Sequence, residues 1–335
     1  MAEKALGKTV NAANISKFRE IGLLVFIIAL SILVQMRNQN FMTLENINDM
    51  IKNTAILSIL TVGMMLVIVT RGIDLSIGAT LALAGMISAL AVSANNGLHP
   101  LLAMLIGIFI GIVCGGIIGL LVSKGGLLPI IATLGMMNVY RGITFVVSGG
   151  KWVSAYQMPE SFKGIATSSV MGINTLFFIA IIIYIVFYYF INHTRTGRQI
   201  YAVGSNPESA KISGINVGKV LFMVYTIMGA LAGLAGVLWV SKYASAQGDT
   251  AMGYEMNVIA ACVLGGVNIA GGSGKISGII LGSLLLGILS NALPLVNVSP
   301  FWQQAIQGFI ILVAVIVNAL VKRNVDRNNL MRRRI

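Results

Sequence analysis

Residues that could perform enzymatic chemistry are few in this sequence and lie far apart. His99 and His193 are the only histidines, and they fall at opposite ends of predicted membrane spans, so neither a metal site nor a catalytic triad is expected. The glycine-rich segment 271–277 resembles a phosphate-binding loop, but Ile269 stands where its first glycine belongs and Ile276 follows the lysine. We therefore expect a sharp turn with positive φ at one or more glycines, and no ATP hydrolysis by this chain.

Acidic residues distinguish between classes of transporter. Carriers coupled to protons or cations usually hold Asp or Glu inside the helix bundle, at a cost of about 2.5–3.5 kcal/mol. All ten acidic residues here fall in predicted loops or at span ends, and Asp74 and Glu255 come nearest to the membrane. Without an acid inside the bundle, a separate energy-supplying subunit is favoured. The alternative is a secondary carrier or a channel for small polar solutes.

The motif RGIDLSIG is predicted to have a structural role at the start of a membrane span. Asp74 is expected to cap the helix that follows and to pair with Arg71. The residues assigned to this motif are Arg71, Gly72, Asp74, Ser76 and Gly78.

A polar segment between two apolar runs predicts a short helix of about two turns, roughly 12 Å long. Ser205 and Glu208 have the spacing of a capping box, Pro207 lies in the first turn, and Gly214 predicts the C-terminal end. Because so short a helix is not stable alone, we expect it to dock on a partner subunit, the alternative being the cytoplasmic face of the bundle itself. Ala210 is expected to face the partner.

Polar and aromatic residues near the outer ends of predicted spans are candidates for a solute pathway. Arg141 lies beside Asn138 and Tyr140, short of the end of its span, where an arginine is costly unless it snorkels, meets a carbonyl or lines a wet cavity. Aromatic and amide groups suit sugar faces and hydroxyls, although tryptophans at this level also form interfacial belts. The remaining candidates are Trp152, Trp302, Gln303 and Gln304.

The composition requires that these residues be positioned by membrane helices. Of 335 residues, 57% are hydrophobic and 10% are charged, against roughly 25% charged in a soluble domain. Apolar runs of spanning length predict an all-α polytopic membrane protein with about ten transmembrane helices. The predicted spans are 21–36, 56–70, 77–92, 101–122, 128–147, 173–191, 220–240, 258–270, 276–293 and 305–321.

The distribution of basic residues predicts that both termini are cytoplasmic. With ten spans, the outer loops would hold few of the 23 Lys and Arg residues, a positive-inside pattern. The net charge of +13 is thus assigned to topology, and no nucleic-acid binding is expected. The outer basic residues would be Arg37, Lys52, Lys151, Lys163 and Lys242. The predicted organisation is a cytoplasmic segment 1–20, a permease domain 21–321 that includes a coupling loop 192–217, and a basic cytoplasmic tail 322–335.

Four blocks in this sequence resemble the permease subunits of carbohydrate-type ABC importers, the group that serves ribose, xylose, rhamnose and autoinducer-2. They are RGIDLSIGATLALAG at 71–85, PIIATLGMMNVYRGI at 129–143, GRQIYAVGSNPESAKISGI at 197–215 and ACVLGGVNIAGGSGKISGIILG at 261–282. The segments 148–152 and 255–266 look more similar to the autoinducer-2 and rhamnose branch than to ribose permeases, which places ribose or another pentose second.

The resemblance implies an importer permease in the bacterial cytoplasmic membrane that forms the translocation pathway and is not itself an enzyme. The implied partners are a second permease copy or paralogue, a cytoplasmic ATPase that binds ATP and Mg, an extracytoplasmic sugar-binding protein and membrane lipid. No cofactor is expected in this chain. The resemblance assigns coupling to the ATPase to Gly204, Ser205, Asn206, Pro207, Glu208, Ser209, Ala210 and Gly214.

Overall fold

The computed structural model describes residues 12–299, 301–310, 312–313 and 316, and this part of the chain is almost entirely helical. The predicted N-terminal segment 1–20 falls outside it up to residue 11, and the tail 322–335 lies wholly outside. A two-stranded antiparallel hairpin, β1 (Ser169–Val170) and β2 (Ile173–Asn174), interrupts the helices. The α-helices are α1 (Ala12–Arg37), α2 (Leu44–Val69), α3 (Ile77–Ala94), α4 (Pro100–Ser123), α5 (Pro129–Ser148), α6 (Glu160–Thr167), α7 (Thr175–His193), α8 (Arg195–Ser205), α9 (Pro207–Ile212), α10 (Val217–Tyr243), α11 (Tyr254–Leu264) and α12 (Ile276–Leu295).

Eight helices in the described part of the chain are long and apolar enough to span a membrane. They correspond to the first seven predicted spans and the ninth, which confirms an all-α polytopic membrane protein. The predicted span 258–270 is wrong in its bounds, because α11 ends at Leu264 and residues 265–275 form a glycine-rich loop. The last predicted span begins within the helical segment 301–310 and lies mostly outside the described residues.

Helices α2, α3 and α10 are the most buried spans and form the centre of the bundle, whereas α1, α5 and α7 lie at its periphery. The bundle has two ends. We call the end that carries Arg71, Ser205 and Lys275 the basic end, and the end that carries Leu44, Tyr243 and Leu295 the far end.

A stripe of glycines on α4 packs directly against α10. Added Cβ atoms at Gly111 or Gly115 would overlap backbone of Gly229, and one at Gly107 would lie 3.0 Å from the Gly233 carbonyl oxygen. Apolar side chains gain little by leaving lipid for another helix, so helix association in a membrane depends on such close backbone contact. These glycines therefore pack α4 closely against α10.

Two connecting segments, 70–76 and 244–253, run inside the bundle instead of over its surface. Gly85 of α3 packs on Gly236 of α10, and an added Cβ at Gly78 would lie 2.6 Å from the carbonyl oxygen of Ala251. At 1.5 Å per residue, Gly78 lies about 10 Å farther from the far end than Gly85 does. Gly236, which contacts Gly85, itself lies about 10 Å from the end of α10, so Ala251 lies roughly 20 Å from that end. The segment 244–253 thus returns from the far end into the bundle, and α11 begins in the interior. We call them the re-entrant segment and the re-entrant helix.

The α4–α10 contact generates a stability prediction. Gly111→Ala places a methyl group against backbone, which cannot rotate away, so we expect a loss at or above the ~1–3 kcal/mol typical of overpacking. The matched control is Gly116→Ala on the same helix, where the nearest atom to an added Cβ is 4.0 Å away and alanine favours the helix. Thermal unfolding in detergent should show a lower Tm for Gly111→Ala alone; equal Tm values would contradict this packing role.

Candidate functional site

At the basic end, α2 finishes in a Schellman motif that sets the direction of Arg71. The Arg71 amide donates to Ile68 O and the Gly72 amide to Val67 O, both at 2.9 Å. Arg71 has φ 66°, a left-handed conformation that costs a non-glycine residue about 1–2 kcal/mol and is usually taken by glycine at this position. An arginine at such a position therefore indicates that its side chain has a role.

The Arg71 side chain binds the C-terminus of α8. Its Nε donates to Gly204 O at 2.7 Å, and an Nη donates to Ser205 O at 2.6 Å. The carbonyls at the end of a helix lack intrahelical partners and carry partial negative charge, so a guanidinium satisfies them and stabilises the helix end. Arg71 thereby joins α2 to α8.

The glycine-rich loop completes this contact, which we call the α2–α8 junction (Val69, Arg71, Gly204, Ser205, Gly271, Gly272). The Gly272 amide donates to Val69 O at 2.9 Å, and a Cβ at Gly204 would overlap that same oxygen. Gly271 and Gly272 have φ 85° and 75°, which confirms the predicted turn.

Tyr201 of α8 ties the same loop to the helix. Its hydroxyl donates to Gly274 O at 2.6 Å, and burial raises the pKa of this hydroxyl, so it remains a donor at neutral pH. This contact was not predicted from the sequence, although the glycines at 204, 271 and 272 signalled a close backbone approach.

The short helix α9 is confirmed, but its cap is Asn206 and the predicted Ser205–Glu208 capping box is wrong. Ser205 ends α8, and Asn206 Oδ1 accepts from the Ser209 amide at 3.0 Å. Pro207 explains the shift: proline favours the first helical position and forces the residue before it into an extended conformation, seen at Asn206 as φ −157° and ψ 104°. At the other end, Gly214 has φ 79° and ends the helix as predicted.

The surface that α9 offers differs from the prediction at one position. Ala210 is buried in the core of the bundle, because α9 lies with this face against the chain's own helices. The expectation that Ala210 faces a partner is therefore wrong. Glu208, Ser209 and Lys211 are exposed, and Ile212 is 87% exposed.

The predicted pairing of Arg71 with Asp74 is also wrong, because Arg71 is bound to α8. Asp74 Oδ1 accepts from the Ser76 amide at 2.8 Å and from Ser76 Oγ at 2.6 Å, an Asx turn that precedes the helix instead of capping its first turn. Gly72 and Gly78 allow close approach, of Tyr225 to the first and of Ala251 and Glu255 to the second. The two glycines of this motif thus allow close packing in the interior of the bundle.

Two carboxylates lie inside the bundle, contrary to the prediction that none would. Asp74 is 2% exposed and Glu255 is 9% exposed, because the segments that carry them run through the interior. Each lies at a helix N-terminus, of α3 and of α11, where the helix dipole favours negative charge. The placement of acids therefore does not exclude a secondary carrier. Family membership must decide between a secondary carrier and a permease that a separate subunit supplies with energy.

The three neighbouring pathway candidates on α5 face different surroundings. Arg141 reaches the re-entrant segment, where its Nη1 donates to Gly248 O at 2.9 Å and to Thr250 O at 2.8 Å. Tyr140 is buried and donates to Cys114 O at 2.7 Å, whereas Asn138 is exposed and bonds its own helix at Leu134 O. Arg141 thus stabilises backbone that would otherwise lack partners.

The other candidates lie toward the far end. Trp152 and Trp302 are well exposed, as expected of an interfacial belt. Gln303 donates to Val298 O at 2.8 Å, and Gln304 lines a cavity that also contains Tyr254 and Asn257.

Comparison with known families decides the class of this protein. Residues 46–315 match the family model described as the permease component of the branched-chain amino acid transport system. The chain belongs to this permease family. Its members are components of transport systems and not enzymes, and the membership supports a multi-pass protein of the bacterial inner membrane.

Curated relatives are sugar import permeases. The ribose import permease RbsC of Escherichia coli (strain K12) is 38% identical over 297 residues, which cover 88% of this chain and 92% of the relative. The D-allose permease AlsC of the same strain is 34% identical over 301 residues, 89% and 91% of the two chains. The autoinducer 2 permease LsrC of Yersinia pseudotuberculosis is 31% identical over 310 residues, 92% and 87%. The search of solved structures found no match.

These relatives confirm the expected membership of the carbohydrate-type ABC importer permeases. The identity to ribose permeases exceeds that to the autoinducer 2 permease, so it does not support the predicted preference for the autoinducer-2 and rhamnose branch.

The α2–α8 junction generates a prediction for this permease. Arg71→Ala removes both hydrogen bonds to the end of α8, and hydrogen bonds from charged groups contribute about 1.5–3 kcal/mol each. We expect amide hydrogen exchange in α8 and α9 to accelerate by at least ~10-fold, as loss of one such bond implies. Arg71→Gly should accelerate it equally while relieving the positive φ.

The control is Arg198→Ala, an exposed arginine on α8. Its exchange pattern should match that of the unmodified permease. Unchanged exchange in both Arg71 variants would show that the guanidinium does not hold α8.

Proposed function

We propose that this chain is the transmembrane subunit of an ATP-driven importer for a small sugar or sugar-like solute, and that α9 couples it to a separate ATPase. The observation that carries the proposal is the anchoring of α8 and α9: an exposed α9 surface at the basic end is connected through Arg71 to α2, one of the central spans. A force applied to α9 therefore has a direct route into the bundle.

In this mechanism the ATPase binds ATP and Mg, and its closure displaces α9. The displacement reaches α2 through Arg71 and reaches the 265–275 loop through Gly272 and Tyr201. That loop connects α11 with α12, so the re-entrant helix would move with it. The mechanism thus links nucleotide-driven motion to the interior of the bundle, where the pathway must open and close.

The proposed partners follow from the same assignment. A secreted binding protein would deliver the sugar at the far end, and a second permease copy or paralogue would complete the pathway. The exposed face of α5 that carries Gly135, Asn138 and Gly142 supports packing of such a copy, since small residues allow helices to approach closely in lipid. The names of the relatives favour ribose, allose or autoinducer-2 as the solute.

The proposed orientation places the basic end in the cytoplasm, in keeping with the positive-inside pattern. Two exposed positions test it: Met171, 96% exposed in the β-hairpin, and Ile212, 87% exposed on α9. In a background with Cys114 and Cys262 replaced by alanine, a membrane-impermeant thiol reagent added to intact cells should label Met171→Cys and spare Ile212→Cys. A permeant reagent should label both. The reverse pattern would overturn the orientation.

Coupling through α9 is tested by Ile212→Asp. A well-placed apolar contact in an interface can contribute about 2 kcal/mol or more, so the charged variant should lose most of its co-purifying ATPase and of its sugar-stimulated ATP hydrolysis. The folded permease should have an unchanged Tm, since the Ile212 side chain packs on little of its own chain.

Met171→Asp provides the matched control, because it introduces the same charge at an equally exposed apolar residue of the opposite end. It should retain the ATPase. If the Ile212→Asp permease binds its ATPase and transports normally, α9 is not the coupling element. Ala210→Arg is unsuitable for this test, because Ala210 is buried and an arginine there would disrupt the packing of α9 against the bundle.

A further inference from the structure

A polar and aromatic cavity lies where the re-entrant helix begins, toward the far end of the bundle. Two adjoining hollows, of about 230 and 520 Å³, share Trp239, Tyr254, Asn257 and Gln307 in their walls. Side chains from α2, α10, α11, α12 and the segment 301–310 converge on them. The polar residues around the smaller hollow are Asn53, Lys242, Asn257, Ser290 and Gln307.

Three aromatic rings form one wall of this cavity and hold each other in place. The Trp239 ring lies 5.0 Å from Tyr254 in an edge-to-face arrangement and 5.0 Å from Tyr243 at 47°. Such contacts fix ring orientation. A fixed aromatic surface is complementary to the face of a sugar ring that carries only C–H groups, which is apolar although the rim of the ring is polar.

The polar side chains in the walls of the cavity suit the hydroxyls at the rim of such a ring. Asn257, Gln307 and Ser290 are neutral, and each can donate and accept hydrogen bonds, as a hydroxyl requires. Gln307 Nε2 lies 3.3 Å from Ser290 Oγ, so the amide and the hydroxyl already form a small network. Neutral groups of both kinds favour a polyhydroxylated solute over an ion.

The basic side chain in the wall of the cavity, Lys242, already has hydrogen-bond partners. Lys242 Nζ donates to Asn53 Oδ1, lies 3.2 Å from the Tyr243 hydroxyl and stands 4.6 Å over that ring. The nearby Asp249 has the opposite charge. The walls of the two hollows thus carry one basic and one acidic side chain, so the cavity offers no net charge to an anionic or cationic ligand.

A hollow on another side of α2 provides a contrast. It measures about 530 Å³ and is lined almost entirely by apolar side chains of α2, α7 and α12, including Ile47, Phe177, Ile181 and Leu284. That lining suits an acyl chain. The cavity at α11 is thus richer in amide and hydroxyl groups than the apolar hollow between α2, α7 and α12.

We propose that this cavity is a transient binding site for a neutral monosaccharide on its path through the permease, with Trp239 and Tyr254 against the ring and Asn257 and Gln307 on its hydroxyls. The inference rests on the proposed importer function and adds the place and chemistry of solute contact. The first turn of α11 forms the floor of the cavity, so the proposed motion of the 265–275 loop would reach a bound sugar through α11.

Fluorescence of Trp239 tests binding directly. In a Trp152→Phe, Trp302→Phe permease, purified and bound to its ATPase, Trp239 is the only tryptophan of the permease chain. Titration with D-ribose or D-allose should give a saturable change in its emission, and L-leucine should give none. No saturable change with either sugar, or an equal response to L-leucine, overturns the proposal.

Transport provides the second measurement and separates this inference from the proposed function. Asn257→Leu, which keeps the side-chain size, should lower sugar uptake by the complete importer about 10-fold, equivalent to ~1.4 kcal/mol, with unchanged Tm and ATPase binding. Thr226→Val, at a threonine of α10 whose hydroxyl bonds its own helix, should transport normally.

The outcomes are distinct. Normal uptake by the Asn257→Leu and Trp239→Leu importers would show that the sugar bypasses this cavity while the importer function stands. If the unmodified complete importer takes up neither sugar and does not bind an ATPase, the proposed function itself fails. If Asn257→Leu does not fold, the fluorescence titration still decides the inference.

Discussion

In lipid, every backbone N–H and C=O group needs a partner within the protein, and the interior of this permease depends on how that requirement is met. The segment 244–253 enters the bundle from the far end without forming a helix. Arg141 satisfies two of its carbonyls, at Gly248 and Thr250, and Ala246 pairs with Val153 in a bridge. With these partners the segment can stay inside, and α11 can begin at a depth where a solute pathway would pass.

Close backbone contact is the second condition, and glycine makes it possible. The α4–α10 interface depends on facing glycines, and so does the contact of Gly265 with Gly278 between the re-entrant helix and α12. Interfaces of this kind have no side chains that could absorb a shift by changing rotamer. The helices they join are therefore expected to move as rigid units, a property suited to passing on displacement.

The α2–α8 junction combines both conditions at the basic end. Gly204 and Gly272 bring backbones together, and Arg71 supplies charged hydrogen bonds to carbonyls that the end of α8 leaves unpaired. The left-handed conformation of Arg71 directs its side chain sideways, toward another helix.

Hydropathy and turn chemistry are local properties, so the sequence by itself determined most of the spans, the glycine turn and the existence of α9. Pro207 also carries the information that Asn206 is the cap, although the spacing of Ser205 and Glu208 predicts a capping box. What only the tertiary structure decided is which segments enter the bundle. Asp74 and Glu255 look like loop residues in sequence, Ala210 looks like a docking residue, and nothing local joins Trp239, Asn257 and Gln307. Their placement depends on contacts between residues far apart in the chain, and a pattern of neighbours carries no record of those contacts.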